Sequence, residues 1–180
     1  MKCWLVVALF LMPVLLPAYS SGGPYAHTGG YGEPTCESFG CHTPNPLPGN
    51  GGGRVVIDVG PYVPGQRQQI VVTVIDSAAR RWGFQLAARL MSNPATQAGS
   101  LAVPVMPADY TFTQVRCADG SALPCSTGLQ YAGHTSVGTR ANNPSGYVTF
   151  LVDWIAPSSD VGPVVFTAAG LGADGDQGTN

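Results

Sequence analysis

Lysine is almost missing from this chain of 180 residues, with Lys2 the only one. Charge of either sign is scarce too, at 10% of residues. A chain this poor in cations lacks the clustered Lys and Arg that hold nucleic acid or an anionic membrane, so neither is expected as a partner. Beyond the N-terminus no apolar run approaches the ~20 residues of a transmembrane helix. No internal repeat is visible, and Gly and Pro, 40 residues together, follow no triplet period. That excludes collagen, and the frequency of breakers excludes a helical bundle. With only three histidines and no nucleophile–base pair in a strand-like segment, hydrolysis has little to work with.

The N-terminus is the exception to the short apolar runs. Met1, Lys2 and Cys3 lead into the apolar stretch Trp4 to Leu16, and Pro17-Ala18-Tyr19-Ser20 closes it with small residues three and one before a cut. Residues 1–20 therefore read as a secretory signal peptide. The exported chain, residues 21–180, carries seven Arg against ten Asp and Glu, a net charge of −3.

What the chain does have is Val, Ile, Phe, Tyr and Trp in short stretches between Gly and Pro, the pattern of strands joined by tight turns. Residues 21–53 show little apolar periodicity and read, taken alone, as a linker. Their anchors are Tyr25, Tyr31, Phe39 and the cluster Cys36, Cys41, His42, so a disulfide or a bound cofactor is expected to hold them. Residues 54–180 are the folded domain. Strands are expected at Arg54–Val59, Gln69–Ile75, Trp82–Leu90, Tyr110–Arg116, Leu129–His134, Tyr147–Trp154 and Val164–Ala169. Seven or eight such strands make an all-β protein, a β-sandwich preceded by a Gly/Pro-rich segment that contains cysteine. Trp82, Phe84, Leu86, Phe150, Val152, Trp154 and Phe166 are expected in its core.

Cys3 leaves with the leader, which leaves four cysteines in an oxidising compartment. Cys117 and Cys125 bracket a turn-rich loop, Ala118 to Pro124, and are expected to form a disulfide. Cys36 and Cys41 differ, because His42 follows at once. The string Cys36-Glu37-Ser38-Phe39-Gly40-Cys41-His42 is C-x4-C-H. Haem c needs two thiols for its vinyl groups and an imidazole directly after the second, with a standard spacing of C-x-x-C-H. A small Cys36–Cys41 disulfide beside an incidental His explains the string equally well. A zinc site from Cys36, Cys41, His42 and His134 is a third alternative. If haem c is bound, Cys36 and Cys41 carry it and His42 is an axial ligand of the iron. The sixth position then falls to His134, His27, Met91 or Met106, although Met91, at the end of a core-like strand, suits apolar packing better. Asp174 and Asp176 suggest calcium less than a turn.

The order of these motifs resembles a known family. Gly32-Glu33-Pro34-Thr35-Cys36…Cys41-His42 precedes Tyr62-Val63-Pro64-Gly65-Gln66, Arg81-Trp82-Gly83-Phe84-Gln85-Leu86 and His134-Thr135-Ser136. Trp154-Ile155-Ala156-Pro157 and Gly162-Pro163-Val164-Val165-Phe166 follow. Together they resemble the bacterial exported choice-of-anchor V domain proteins, relatives of the reeler (reelin N-terminal) domain. The resemblance implies an immunoglobulin-like β-sandwich with a haem-type string before its first strand. It also implies a recurrent His-Thr element, which favours His134 as the sixth ligand. The place of action is then the bacterial periplasm, the cell surface or the extracellular space.

Two functions are therefore expected. One is an exported haem-binding, c-type cytochrome-like protein that transfers electrons to a redox partner the sequence does not name. The other is an extracellular adhesion or binding module with a structural Cys36–Cys41 disulfide and no haem.

Overall fold

The computed structural model describes residues 19–36, 53–126, 128–140 and 146–173. The expected leader up to residue 18, Cys41, His42, Asp174 and Asp176 lie outside the described residues. β-Branched and aromatic runs between Gly and Pro form nine strands among them. These are β1 (Arg54–Asp58), β2 (Arg67–Ile75), β3 (Arg81–Leu90), β4 (Asn93–Gln97), β5 (Ser100–Ala102), β6 (Thr113–Cys117), β7 (Gln130–His134), β8 (Tyr147–Ile155) and β9 (Val164–Ala173).

Two antiparallel sheets result. The first runs β1-β2-β8-β5, with Val72 opposite Phe150 and Ile70 opposite Val152. In the second, β9 pairs with β3 along its whole length, from Arg81–Ala173 to Leu90–Val164. The other edge of β3 meets β7 at Gln85 and Leu86, and β4 beyond it; β6 pairs with the far side of β7. The chain is an all-β sandwich, as the turn-punctuated pattern implies. All seven expected strands are present. β4 and β5 are additions: Pro94 reads as a stop in sequence, yet an edge strand such as β4 tolerates a missing N–H.

The core is the alternation made solid. Ile70, Val72 and Val74 of β2 and Val148, Phe150, Val152 and Trp154 of β8 are buried against Trp82, Phe84, Leu86 and Ala88 of β3. Phe84 and Phe150 stack across the sandwich with centroids 4.3 Å apart. The Trp154 indole N–H donates to the Ala98 carbonyl at 2.8 Å, which makes its deep burial affordable. Phe166 differs from expectation. It is only half-buried, and packs edge-on to Trp154 at 5.0 Å on the margin of the core.

One strand breaks the alternation. Every residue of β3 from Trp82 to Arg89 is buried, so both of its faces are covered. Its inner face lies in the core; its outer face lies under the N-terminal segment.

Candidate functional site

Gly83, Gln85, Ala87 and Arg89 occupy the outer face of β3, and residues 19–36 run over it as a strap. The Gln85 side chain grips the strap backbone from both sides. Its carbonyl accepts the His27 N–H at 3.1 Å, and its amide donates to the Pro24 carbonyl. On β6 the Gln114 amide donates to the Ser21 carbonyl. Tyr25 and Ala26 pack on a small apolar cluster of Ala87, Leu129 and Tyr131. Side chains rising from the sheet thus hold the described part of the strap.

Its main anchor is Glu33. A tight turn brings Glu33 back, with its N–H bonded to the Gly30 carbonyl at 3.0 Å. Gly30 permits the approach, since a Cβ there would overlap the Thr167 side chain. Glu33 Oε1 accepts from Arg89 and from the Tyr131 hydroxyl. Oε2 accepts from the Thr28 hydroxyl at 2.5 Å and the Thr28 N–H at 3.2 Å. The Thr167 hydroxyl on β9 completes the chain, 2.9 Å from the Thr28 oxygen. Arg89 is 4% exposed and Glu33 13%, so the pair is largely out of water. A second Arg89 nitrogen donates to the Pro94 carbonyl at 2.9 Å.

The electrostatics follow from that geometry. Burial pushes the Glu33 carboxyl up, but hydrogen bonds from Thr28, Tyr131 and Arg89, together with the Arg89 charge, outweigh it and leave its pKa lowered. Burial, then the bond to Glu33 and its negative charge, push the Tyr131 phenol up to about 12, with Arg89 offsetting only part. Ion pair and hydroxyl form one unit with no net charge, in which the Arg89 Nε is buried without a hydrogen-bond partner among the described residues.

Beside this unit lies an open cleft of about 490 Å³. The strap forms one wall through Tyr31 and Glu33; Pro94 and Ala95 of β4 and Ala118 and Leu129 of the β6–β7 excursion form the others. Tyr31 stands over Arg89, the guanidinium carbon 5.9 Å from its ring centroid. It is 53% exposed and holds a left-handed backbone, φ 53°. That conformation costs a side-chain-bearing residue roughly 1–2 kcal/mol, and Gly29, Gly30 and Gly32 surround it in a stretch where glycine is otherwise used. The Cys117–Cys125 disulfide, Cα atoms 5.4 Å apart, staples the excursion that closes the cleft, as the spacing predicts.

His134 shares the outer face but sits elsewhere on it. Its ring lies on Gly83, where a Cβ would stand 3.1 Å from it. Gly83 is four residues along β3 from Ala87, the partner of Thr167, which holds Thr28. At the rise of a strand that is ~13 Å. The Phe84 N–H donates to His134 Nδ1 at 3.3 Å, and Nε2 faces the Tyr19 carbonyl at 3.4 Å. An accepting Nδ1 places the proton of a neutral imidazole on Nε2. Iron ligation through Nε2 needs the opposite tautomer, so a sixth-ligand role would require His134 to exchange its bond from the Phe84 N–H.

The other candidates scatter. His27 Nδ1 lies 2.8 Å from the Tyr25 carbonyl within the strap. Met91 is exposed just beyond β3, not packed as its strand suggests, and Met106 is exposed in its loop. Cys36 is half-buried at the end of the described strap. The proposed haem, zinc and Cys36–Cys41 arrangements all involve Cys41, which is outside the described residues. Sequence reading missed Gln85, Arg89 and Tyr131 because polar residues on alternate positions of a strand ordinarily mark its wet face. The one available signal was Glu33 in a segment of very low charge.

No protein-family model matches the chain, and no curated protein matches it. Among solved structures, the chain is similar to the human F-spondin reeler domain. Fragment 1 of that crystal structure is 19% identical, covers 68% of this chain and 76% of its own, and has a TM-score of 0.43. Fragment 2 is 20% identical over 64% of this chain and 71% of its own, with a TM-score of 0.39. The Reelin-N domain of F-spondin is 21% identical over 64% and 69%, also at 0.39. The structural neighbours are reeler domains, at low identity.

Proposed function

We propose that this chain is an exported binding module, a β-sandwich whose N-terminal strap and disulfide-stapled excursion shape a ligand cleft. The observation that carries this is the Glu33–Arg89–Tyr131 unit, which ties the strap to the sheet and leaves Tyr31 at the cleft rim. The Cys117–Cys125 bridge supports an oxidising compartment, and the leader-like residues 1–20 support export. The motif order supports kinship with exported choice-of-anchor V domain proteins. In this reading Cys36 and Cys41 form a second disulfide. Peptide mapping under non-reducing conditions tests it: a linked Cys36–Cys41 fragment is expected, and two free or thioether-modified cysteines would overturn it.

The Cys-His adjacency at Cys41-His42 favours a second reading, an electron-transfer protein with haem c. Cys36 and Cys41 would hold the porphyrin as thioethers, and His42 and His134 would bind its iron. Bound haem supplies one-electron chemistry. The part of this chain's residues in that reading is to hold and orient: Glu33 and Arg89 fix the segment that leads to Cys36, and His134 has to give up its bond from Phe84 before Nε2 is a ligand.

A further inference from the structure

We infer that β1 is a self-association edge, along which the chain pairs antiparallel with a second copy of itself. The inference goes beyond the binding reading and does not depend on it. β1 ends the first sheet. All five of its residues pair with β2, from Arg54–Ile75 to Asp58–Val71, and no other described strand pairs with its outer edge. A free edge is a row of backbone donors and acceptors ready for another strand. Folded chains usually blunt it with Lys, Pro, a bulge or a covering element. β1 holds no Lys or Pro, and its register with β2 runs without a shift.

The side chains name the occupant. Alternation packs Val55 and Ile57 against the core and leaves Arg54, Val56 and Asp58 exposed on the outer face. Charge is scarce in this chain, yet two opposite charges bracket the strand. Neither is used within the fold: the ion pairs of the described residues are Arg67–Asp153 and Arg89–Glu33. About a two-fold axis at Val56, Arg54 falls opposite Asp58 of the second copy, and Asp58 opposite its Arg54. Val55 then meets Ile57, and Val56, 43% exposed, lies beside its own equivalent. A slip of two residues either way takes each charge off its partner, and parallel pairing sets Arg on Arg and Asp on Asp. Charge therefore selects both direction and register. β9 is an edge of the second sheet too, but it carries no charged residue and so no such selection. Pairing through β1 joins two four-stranded sheets into one of eight. The contact is short, so the dimer belongs to the small, reversible class, with a Kd on the order of 100 µM.

The experiment is sedimentation equilibrium of the exported full chain from ~5 µM to ~1 mM, at low and at physiological salt. A monomer–dimer equilibrium is expected, tighter at low salt because exposed ion pairs are screened. Arg54→Asp and Asp58→Arg each set like charges opposite one another at both ends of the pairing. Each alone should weaken the dimer at least tenfold. Mixed together, the two single variants again present opposite charges across the axis, so the mixture should dimerise about as well as wild type. The double exchange, Arg54→Asp with Asp58→Arg, should do so alone. Both positions are exposed, so the melting temperature of every variant should stay within a few degrees. A wild-type chain that stays monomeric through ~1 mM would overturn the inference. So would single variants that associate as well as wild type, a mixture of them that stays monomeric, or assemblies that grow beyond the dimer.

Discussion

Arg89, on the outer face of β3, is ion-paired to Glu33, a residue 56 positions earlier in a segment without regular structure. That contact turns a Gly/Pro-rich stretch into part of the fold. Removing one member of a buried pair strands the other charge, which is strongly destabilising. Glu33→Gln should therefore lower stability by about 3 kcal/mol, at the low end for such pairs because the strap can lift and rehydrate Arg89. Urea unfolding measures the loss, and hydrogen exchange at the His27 and Thr28 amides should rise with it.

Acid should act on the same contact. The Glu33 pKa is lowered from its ordinary 4.5, so the folded state binds fewer protons than the unfolded chain in that range. Its contribution is fully present above that ordinary value and is lost as pH falls through the lowered one. Tyr131 has the opposite sign. Raised from 10.0 to about 12, it contributes stability below pH 10 that disappears toward pH 12. Unfolding free energy measured against pH should show both slopes, and Glu33→Gln should shrink the acid one, leaving the part due to Asp119 and Asp160, whose pKa values are also lowered.

The sheets should be as sensitive as their stacking implies. Phe150 is fully buried, with its ring on Phe84 at 4.3 Å, and Phe150→Ala should cost about 3–5 kcal/mol. Phe166→Ala should cost less, since that ring is half-buried. Thermal unfolding of the two variants orders them; an equal loss would contradict the placement of Phe166 at the margin.

The Cys117–Cys125 bridge closes a loop with a sequence separation of 8, for which the chain-entropy account gives about 2–3 kcal/mol. The double variant to Ala should lose that much in urea unfolding. It should also loosen Ala118 and Leu129 at the cleft, visible as faster exchange of the Ala118 amide, which bonds the Leu129 carbonyl at 3.0 Å.

Local chemistry made the sandwich legible and the strap illegible. β2 and β8 alternate over nine residues each, and their inward faces could be read from that period alone. Cys117 and Cys125 announced themselves by a turn-rich interval. β4 stayed hidden because Pro94 is tolerated only through its edge position, a tertiary fact. Gln85 and Arg89 looked like the solvent side of β3; only the docked strap makes them buried. Glu33 gives no sign in sequence that its partner is on a strand so far along the chain. His134 was visible as a candidate ligand, but its tautomer is set by the Phe84 amide across the β3–β7 pair.

The central claim is that the strap is held by Glu33 and Arg89 in a binding module without haem. The visible absorption spectrum tests it most directly, taken on wild-type protein exported from a host with active cytochrome c maturation, before and after acid–acetone extraction. The account predicts a colourless protein at both steps. A Soret band that survives extraction, and that Cys41→Ser abolishes, would contradict it and establish the haem reading.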